Sequence, residues 1–142
     1  MIWKLQRFLF LVRMPILLLL HAMAFALSYS LATLLRFDFA VPPESTQLLI
    51  TTMPWVIVGR LVCSYMLGSF HGWMRYVTFH DLVILIRATL AGTLVIVLTD
   101  YFVAPNDMIP RSIVVLECLL TIILIGALRS AGRLSSEQLV PL

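Results

Sequence analysis

Four long apolar stretches, separated by short polar or proline-containing segments, constrain this 142-residue chain more than any other feature. A helix that crosses a bilayer needs about 20 predominantly apolar residues. Four stretches meet that requirement, at residues 14–35, 47–68, 82–103 and 111–129. Only 12% of the residues are charged, whereas a soluble domain carries roughly 25%. The sequence therefore predicts an all-α integral membrane protein with four transmembrane helices, and it excludes an ordinary soluble enzyme.

The spans define a predicted domain organisation. Residues 1–13 carry basic side chains among apolar ones, which is typical of an amphipathic helix in the headgroup layer. A plain extension of span one into the cytosol is the alternative. Residues 14–129 are the transmembrane domain, and residues 130–142 are a cytoplasmic tail. A cleaved signal peptide is a rival interpretation of the N-terminus, although apolar character continues as far as Leu35.

The distribution of Lys and Arg predicts that both termini are cytoplasmic. Cytoplasmic loops of membrane proteins are enriched in basic residues. With both ends inside, the inner segments hold six basic residues: Lys4, Arg7, Arg13, Arg75, Arg129 and Arg133. The two outer loops then hold only Arg36 and Arg111.

Ionisable side chains within the spans fall into two sets by predicted depth. At about 1.5 Å of rise per residue, His21, Arg60 and Arg87 lie roughly 8–12 Å from the cytoplasmic face. With Arg75 in the adjoining loop, they are candidate contacts for an anionic lipid headgroup or a polyprenyl phosphate. The alternative is structural, because arginines also snorkel to the interface or hydrogen-bond between helices.

The second set is predicted near the outer face and consists of Arg36, Asp100, Arg111 and Glu117. Arginine–carboxylate pairs in such a layer hold helices together. The functional alternative is a small proton-coupled transporter or exporter subunit that uses Glu117 and Asp100, since charged residues within spans often mark ion pathways.

No motif for catalysis or cofactor binding accompanies the spans. The six glycines never form the G-x-G-x-x-G spacing of a dinucleotide site, and no His/Cys/Asp/Glu cluster has the spacing of metal ligands. Thirteen residues follow Arg129, too few for a soluble domain. The sequence predicts no catalytic residue, no cofactor, no metal and no nucleic-acid partner.

Several segments together carry a resemblance to a known family. They are residues 67–76 with Gly68, Gly72 and an Arg75-Tyr76 pair, the Arg36-Phe37 end of span one, Arg60, Pro110-Arg111-Ser112, and residues 124–129. In this order they resemble the N-terminal transmembrane region of membrane-bound nucleotide-sugar dehydratases and epimerases of the polysaccharide biosynthesis family. Phe70 and His71 depart from the Tyr and Arg of the family pattern.

The resemblance implies a membrane anchor in the bacterial inner membrane that serves O-antigen or capsule synthesis. In the family, cytoplasmic Rossmann-type domains follow this region, and the last of them binds NAD and acts on a UDP-linked sugar. No catalytic position of the family falls within this sequence. The implied partners are the lipid bilayer and NAD-dependent domains that are separate or lost. A homo-oligomer is left open, and so is a lipid-carrier-binding module for a glycosyltransferase.

Overall fold

The structure, a computed structural model, describes the backbone of residues 2–70, 79–103 and 108–138, and the side chains of residues 14–70, 79–103 and 108–131. Its helices are α1 (Ile2–Arg36), α2 (Pro43–Met66), α3 (Phe79–Val103) and α4 (Arg111–Gln138). No strand occurs in these parts of the chain. The predicted all-α class is confirmed, and all four helices are long and apolar enough to cross a membrane.

The largest differences from the predicted spans occur at three helix limits. α1 runs without interruption from Ile2 into span one, so residues 2–13 continue that helix. α2 begins at Pro43, earlier than predicted, because proline has its φ preset for the first helical turn and lacks only an N–H that would be unsatisfied there. α4 extends to Gln138, so its helix continues into the segment predicted as a tail.

The four helices form a closed ring in which each helix packs against two neighbours. The contacting pairs are α1–α2, α2–α3, α3–α4 and α4–α1, and the diagonal pairs have no backbone contact among the described residues. Successive helices run in opposite directions, and the two ends of the bundle are named here after the limits of α2. The end where α2 begins is called the Pro43 end, and the end where α2 finishes is called the Met66 end.

The outside of the bundle is apolar and the inside is rich in polar groups. Large apolar side chains are exposed on every helix, for example Leu19, Ile50, Leu94 and Ile123. The buried polar and charged side chains are His21, Ser28, Thr33, Thr52, Arg60, Ser64, Ser69, Thr89, Asp100, Glu117, Thr121 and Arg129. This pattern suits a bundle surrounded by lipid, where apolar atoms need no cover and polar groups must find partners inside.

Most buried Ser and Thr hydroxyls donate a hydrogen bond to a backbone carbonyl one turn earlier in their own helix. Ser28 donates to the carbonyl of Ala24 at 2.8 Å, and Thr33 donates to that of Tyr29 at 3.0 Å. A different bond crosses between helices, where the Tyr29 hydroxyl on α1 lies 2.6 Å from Thr52 Oγ1 on α2. This bond therefore ties α1 to α2 near the Pro43 end.

Removal of the Tyr29 hydroxyl is expected to weaken the bundle slightly. We expect Tyr29→Phe to lower the free energy of unfolding by about 0.6 kcal/mol, the mean for interhelical hydrogen bonds in a membrane, as measured by reversible unfolding in mixed micelles. Tyr101→Phe is the matched control, since Tyr101 is 60% exposed. Equal effects of the two substitutions would contradict a role for the bond.

Candidate functional site

A buried ion pair lies at the centre of the bundle. Arg60 on α2 is 1% exposed and Glu117 on α4 is 2% exposed. Arg60 Nε donates to Glu117 Oε1 at 3.1 Å, and Arg60 Nη2 donates to Glu117 Oε2. The pair is thus bidentate, which is the strongest arrangement of a guanidinium and a carboxylate. It joins two diagonal helices that have no backbone contact with each other.

Further hydrogen bonds hold both members of this pair. Arg60 Nη1 donates to the backbone carbonyl of Thr89, and Arg60 Nη2 donates to Thr93 Oγ1 at 2.9 Å. Thr121 Oγ1 donates to Glu117 Oε1 at 3.0 Å. Burial of two charges is costly unless they are paired and their remaining groups are hydrogen-bonded. Here α3 and α4 supply those additional partners.

Gly92 on α3 makes room for the arginine. A Cβ added at Gly92 would lie 3.0 Å from Arg60 Nη1 and 3.1 Å from Arg60 Cδ, whereas one added at Gly59 or Gly126 would meet nothing within 4 Å. The guanidinium therefore passes directly across the backbone of α3. Since Thr89, Gly92 and Thr93 are three and four residues apart, they share one helix face and form the floor of the site.

The structure brings together two side chains that the sequence analysis assigned to different sets. Sequence reasoning assigned Arg60 to the cytoplasmic set and Glu117 to the outer set, yet the two side chains are in contact. Depth counted along the helix locates only the Cα atom. Helical side chains tilt toward the N-terminus of their helix, so the long arm of Arg60 extends toward the Pro43 end, the end from which Glu117 was counted.

Among the other arginines of the two predicted sets, those that the structure describes lie on the surface. Arg36, Arg87 and Arg111 are exposed, and Glu117 bonds to Arg60 rather than to an arginine of its predicted layer. Arg75 lies outside the described residues. The contact of His21, Arg60, Arg75 and Arg87 with an anionic lipid headgroup or a polyprenyl phosphate stays a prediction.

His21 and Asp100 are buried apart from the ion pair. His21 is 1% exposed, and its Nδ1 lies 2.9 Å from the carbonyl oxygen of Leu17. The ring of Phe70 packs edge-on against the imidazole at a centroid distance of 4.7 Å. Asp100 Oδ2 accepts a 2.9 Å hydrogen bond from the backbone N–H of Ile109, which connects α3 to the start of α4.

Sequence reasoning missed a second buried arginine. Arg129 on α4 is 6% exposed, and its Nη2 donates to the carbonyl oxygen of Ser69 at 2.5 Å and to Ser69 Oγ at 2.7 Å. Asp81 also acts electrostatically on this guanidinium. The sequence treated Arg129 only as part of the cytoplasmic charge excess.

A helix cap presents Ser69 to this arginine. Gly68 has a φ of 73°, and the N–H groups of Gly68 and Ser69 donate to the carbonyls of Tyr65 and Ser64 at 3.1 and 2.9 Å. These two bonds form a Schellman motif, which favours glycine at the left-handed position. The signal that was available in the sequence is the Gly68-Ser69 pair at the end of span two.

Comparison of the chain with protein families, curated proteins and solved structures gives no match. The ion pair has both carboxylate oxygens and all three guanidinium nitrogens engaged. Such an arrangement suits the joining of helices better than proton exchange with a substrate.

The two charges are expected to behave as one unit in a double-mutant cycle. Arg60→Met and Glu117→Met should each lower the free energy of unfolding by about 3–5 kcal/mol, because each leaves one charge buried without its partner. The double variant should lose far less than the sum of the two, as measured by reversible unfolding in mixed micelles. Additive losses would show that the contact does not couple the two residues.

A methyl group at Gly92 is expected to disturb the arginine. Gly92→Ala should lower the free energy of unfolding by about 1–3 kcal/mol, since overpacking forces side chains out of position. Gly59→Ala and Gly126→Ala are matched controls with open space at the new Cβ, and they should be neutral or mildly stabilising because alanine is the better helix former. A neutral Gly92→Ala would mean that Arg60 has room to move.

Proposed function

We propose that this chain is a four-helix membrane anchor of the kind that precedes the cytoplasmic, NAD-dependent domains of membrane-bound nucleotide-sugar dehydratases and epimerases. Its task is to hold such domains, on the same or a separate chain, against the bacterial inner membrane. There they have access to the lipid-linked sugars of polysaccharide synthesis. Both ends of the chain lie on the cytoplasmic side in this proposal.

The buried Arg60–Glu117 pair is the observation that supports anchoring. A carboxylate that couples proton or substrate movement needs access from an aqueous side and a change of partners during the cycle. Glu117 is 2% exposed and is held by both Arg60 and Thr121. The same contacts join α2 to α3 and α4, as a bundle that serves only to anchor needs.

The charge distribution and the family resemblance supply the remaining support. Loops that hold an excess of Lys and Arg face the cytoplasm, and this rule puts the C-terminus on the side where catalytic domains of the resembled enzymes operate. The buried Arg129 adds a tie between α4 and Ser69, at the loop that follows α2. This tie holds α4 at Arg129, near the end of the bundle from which a following domain would extend.

Replacement of an enzyme's own anchor by this chain tests the proposal. A membrane-bound UDP-sugar 4,6-dehydratase whose transmembrane region is exchanged for residues 1–142 should stay in the membrane fraction after a carbonate wash and restore polysaccharide synthesis in a deficient strain. The Arg60→Met/Glu117→Met double variant should restore it as well, because an apolar pair can replace a purely structural ion pair. The chimera with Arg60→Met alone is the matched control and should anchor poorly.

Transport activity is the outcome that contradicts anchoring. Purified wild-type protein in proteoliposomes should give no proton flux above that of empty vesicles. A proton flux that disappears with Glu117→Gln would favour the transporter alternative. So would an Arg60→Met/Glu117→Met variant that folds but does not restore polysaccharide synthesis.

A further inference from the structure

A groove at the Pro43 end is unrelated to the central ion pair. It lies between the first half of α2 and the last turns of α3 and has a volume of about 680 Å³. The residues that give it its chemistry are Glu44, Thr51, Thr52, Trp55, Asp100 and Val103. Its volume falls within the range of roughly 300–1,000 Å³ that is usual for small-molecule sites. It is called the α2–α3 groove below.

Asp100 contributes an unsatisfied acceptor to the α2–α3 groove. The residue is 6% exposed, and Ile109 N–H holds its Oδ2 in place. Its Oδ1 is fully buried and has no hydrogen-bond partner among the described residues. A buried polar atom without a partner is rare and calls for a donor. The Ile109 N–H thus fixes the carboxylate in the lining of the groove, and among the described residues no donor meets its second oxygen.

The rest of the lining favours a cation. The described residues that line the groove include a second carboxylate, Glu44, and no Lys or Arg. Trp55 presents an indole ring, the best aromatic partner for a cation. The hydroxyls of Thr51 and Thr52 are further acceptors in the same lining. Anions are therefore disfavoured, and a group that bears both positive charge and N–H donors is favoured.

The apolar part of the lining separates an organic cation from a metal ion. Val103 and Met108 are 76% and 47% exposed, and together with Trp55 they form an apolar wall that suits an alkyl chain. Two carboxylates are too few for a dedicated metal site, since calcium takes 6–8 oxygen ligands. In the parts of the chain that the structure describes, no cluster of three His, Cys, Asp or Glu side chains occurs.

We propose that the α2–α3 groove binds a primary alkylammonium group, with the Asp100 carboxylate as the acceptor, Trp55 against the cation and the alkyl portion along Val103 and Met108. The ammonium can come from the headgroup of phosphatidylethanolamine or from a soluble amine. Both sources share the chemistry that the groove recognises. The proposal does not depend on the anchoring role.

Binding of n-butylammonium, measured by quenching of Trp55 fluorescence, tests the proposal. Trp3→Phe and Trp73→Phe leave Trp55 as the only one of the three tryptophans. We expect butylammonium to bind at least about tenfold more tightly than the uncharged n-butanol, because only the cation forms a charge-assisted hydrogen bond. Asp100→Asn should remove that preference and leave the weak binding of butanol unchanged.

Two further variants keep the test decisive. Asp38→Asn is the matched control, since Asp38 is an exposed carboxylate outside the groove, and asparagine also tolerates its positive φ of 49°. It should bind butylammonium as the wild type does. If Asp100→Asn does not fold, Glu44→Lys serves instead, because Glu44 is exposed, and the added positive charge should weaken butylammonium binding severalfold without affecting butanol.

Mass spectrometry of retained lipid distinguishes the two sources. Protein purified from mixed phosphatidylethanolamine and phosphatidylglycerol is expected to retain phosphatidylethanolamine if the lipid is the ligand, and butylammonium should displace it. Butylammonium binding without lipid enrichment identifies a soluble amine, and either result supports the groove as an ammonium site. Equal affinities for butylammonium and butanol, or unchanged preference in Asp100→Asn and Glu44→Lys, overturn the proposal and leave the groove as a water-filled cleft.

Discussion

A guanidinium in the middle of an apolar bundle needs both a counter-charge and a full set of hydrogen-bond acceptors, since lipid offers neither. Arg60 obtains the charge from Glu117 and the additional acceptors from Thr89 and Thr93. No single helix can supply all of these groups. The arginine is therefore satisfied only when α2, α3 and α4 are assembled in one register, and this requirement connects the polar interior to the packing of the helices.

The same requirement explains the composition of the α3 face that meets Arg60. An apolar face of ordinary side chains would pack closely but would leave the guanidinium without acceptors. Gly92 opens the space, and the neighbouring threonines give the acceptors, one through its backbone carbonyl and the other through its hydroxyl. Buried polar contacts of this kind specify which helices pair and in what register, whereas lipid-facing apolar surface discriminates weakly between alternatives.

The two ends of the bundle have different chemistry. Near the Met66 end, the buried Arg129 is tied to Ser69 at the capped end of α2. At the Pro43 end, the Asp100 carboxylate is only half satisfied, and a groove with acidic and aromatic lining remains open. A basic group at one end and an acidic groove at the other are compatible with the two proposals, that the chain holds a domain at a membrane and that it contacts an amine-bearing lipid.

The four helices follow directly from the sequence, because the length of an apolar run and its flanking prolines are local properties. Charged residues within the spans are equally visible in the sequence, and so is the need for each to have a partner. Tertiary structure alone decided the partners: Arg60 meets Glu117 across a diagonal, and Arg129 meets a capped Ser69. The physical reason is that a side chain's reach and direction, together with the rotation of each helix about its axis, determine contact, whereas sequence position reports only the depth of the Cα atom.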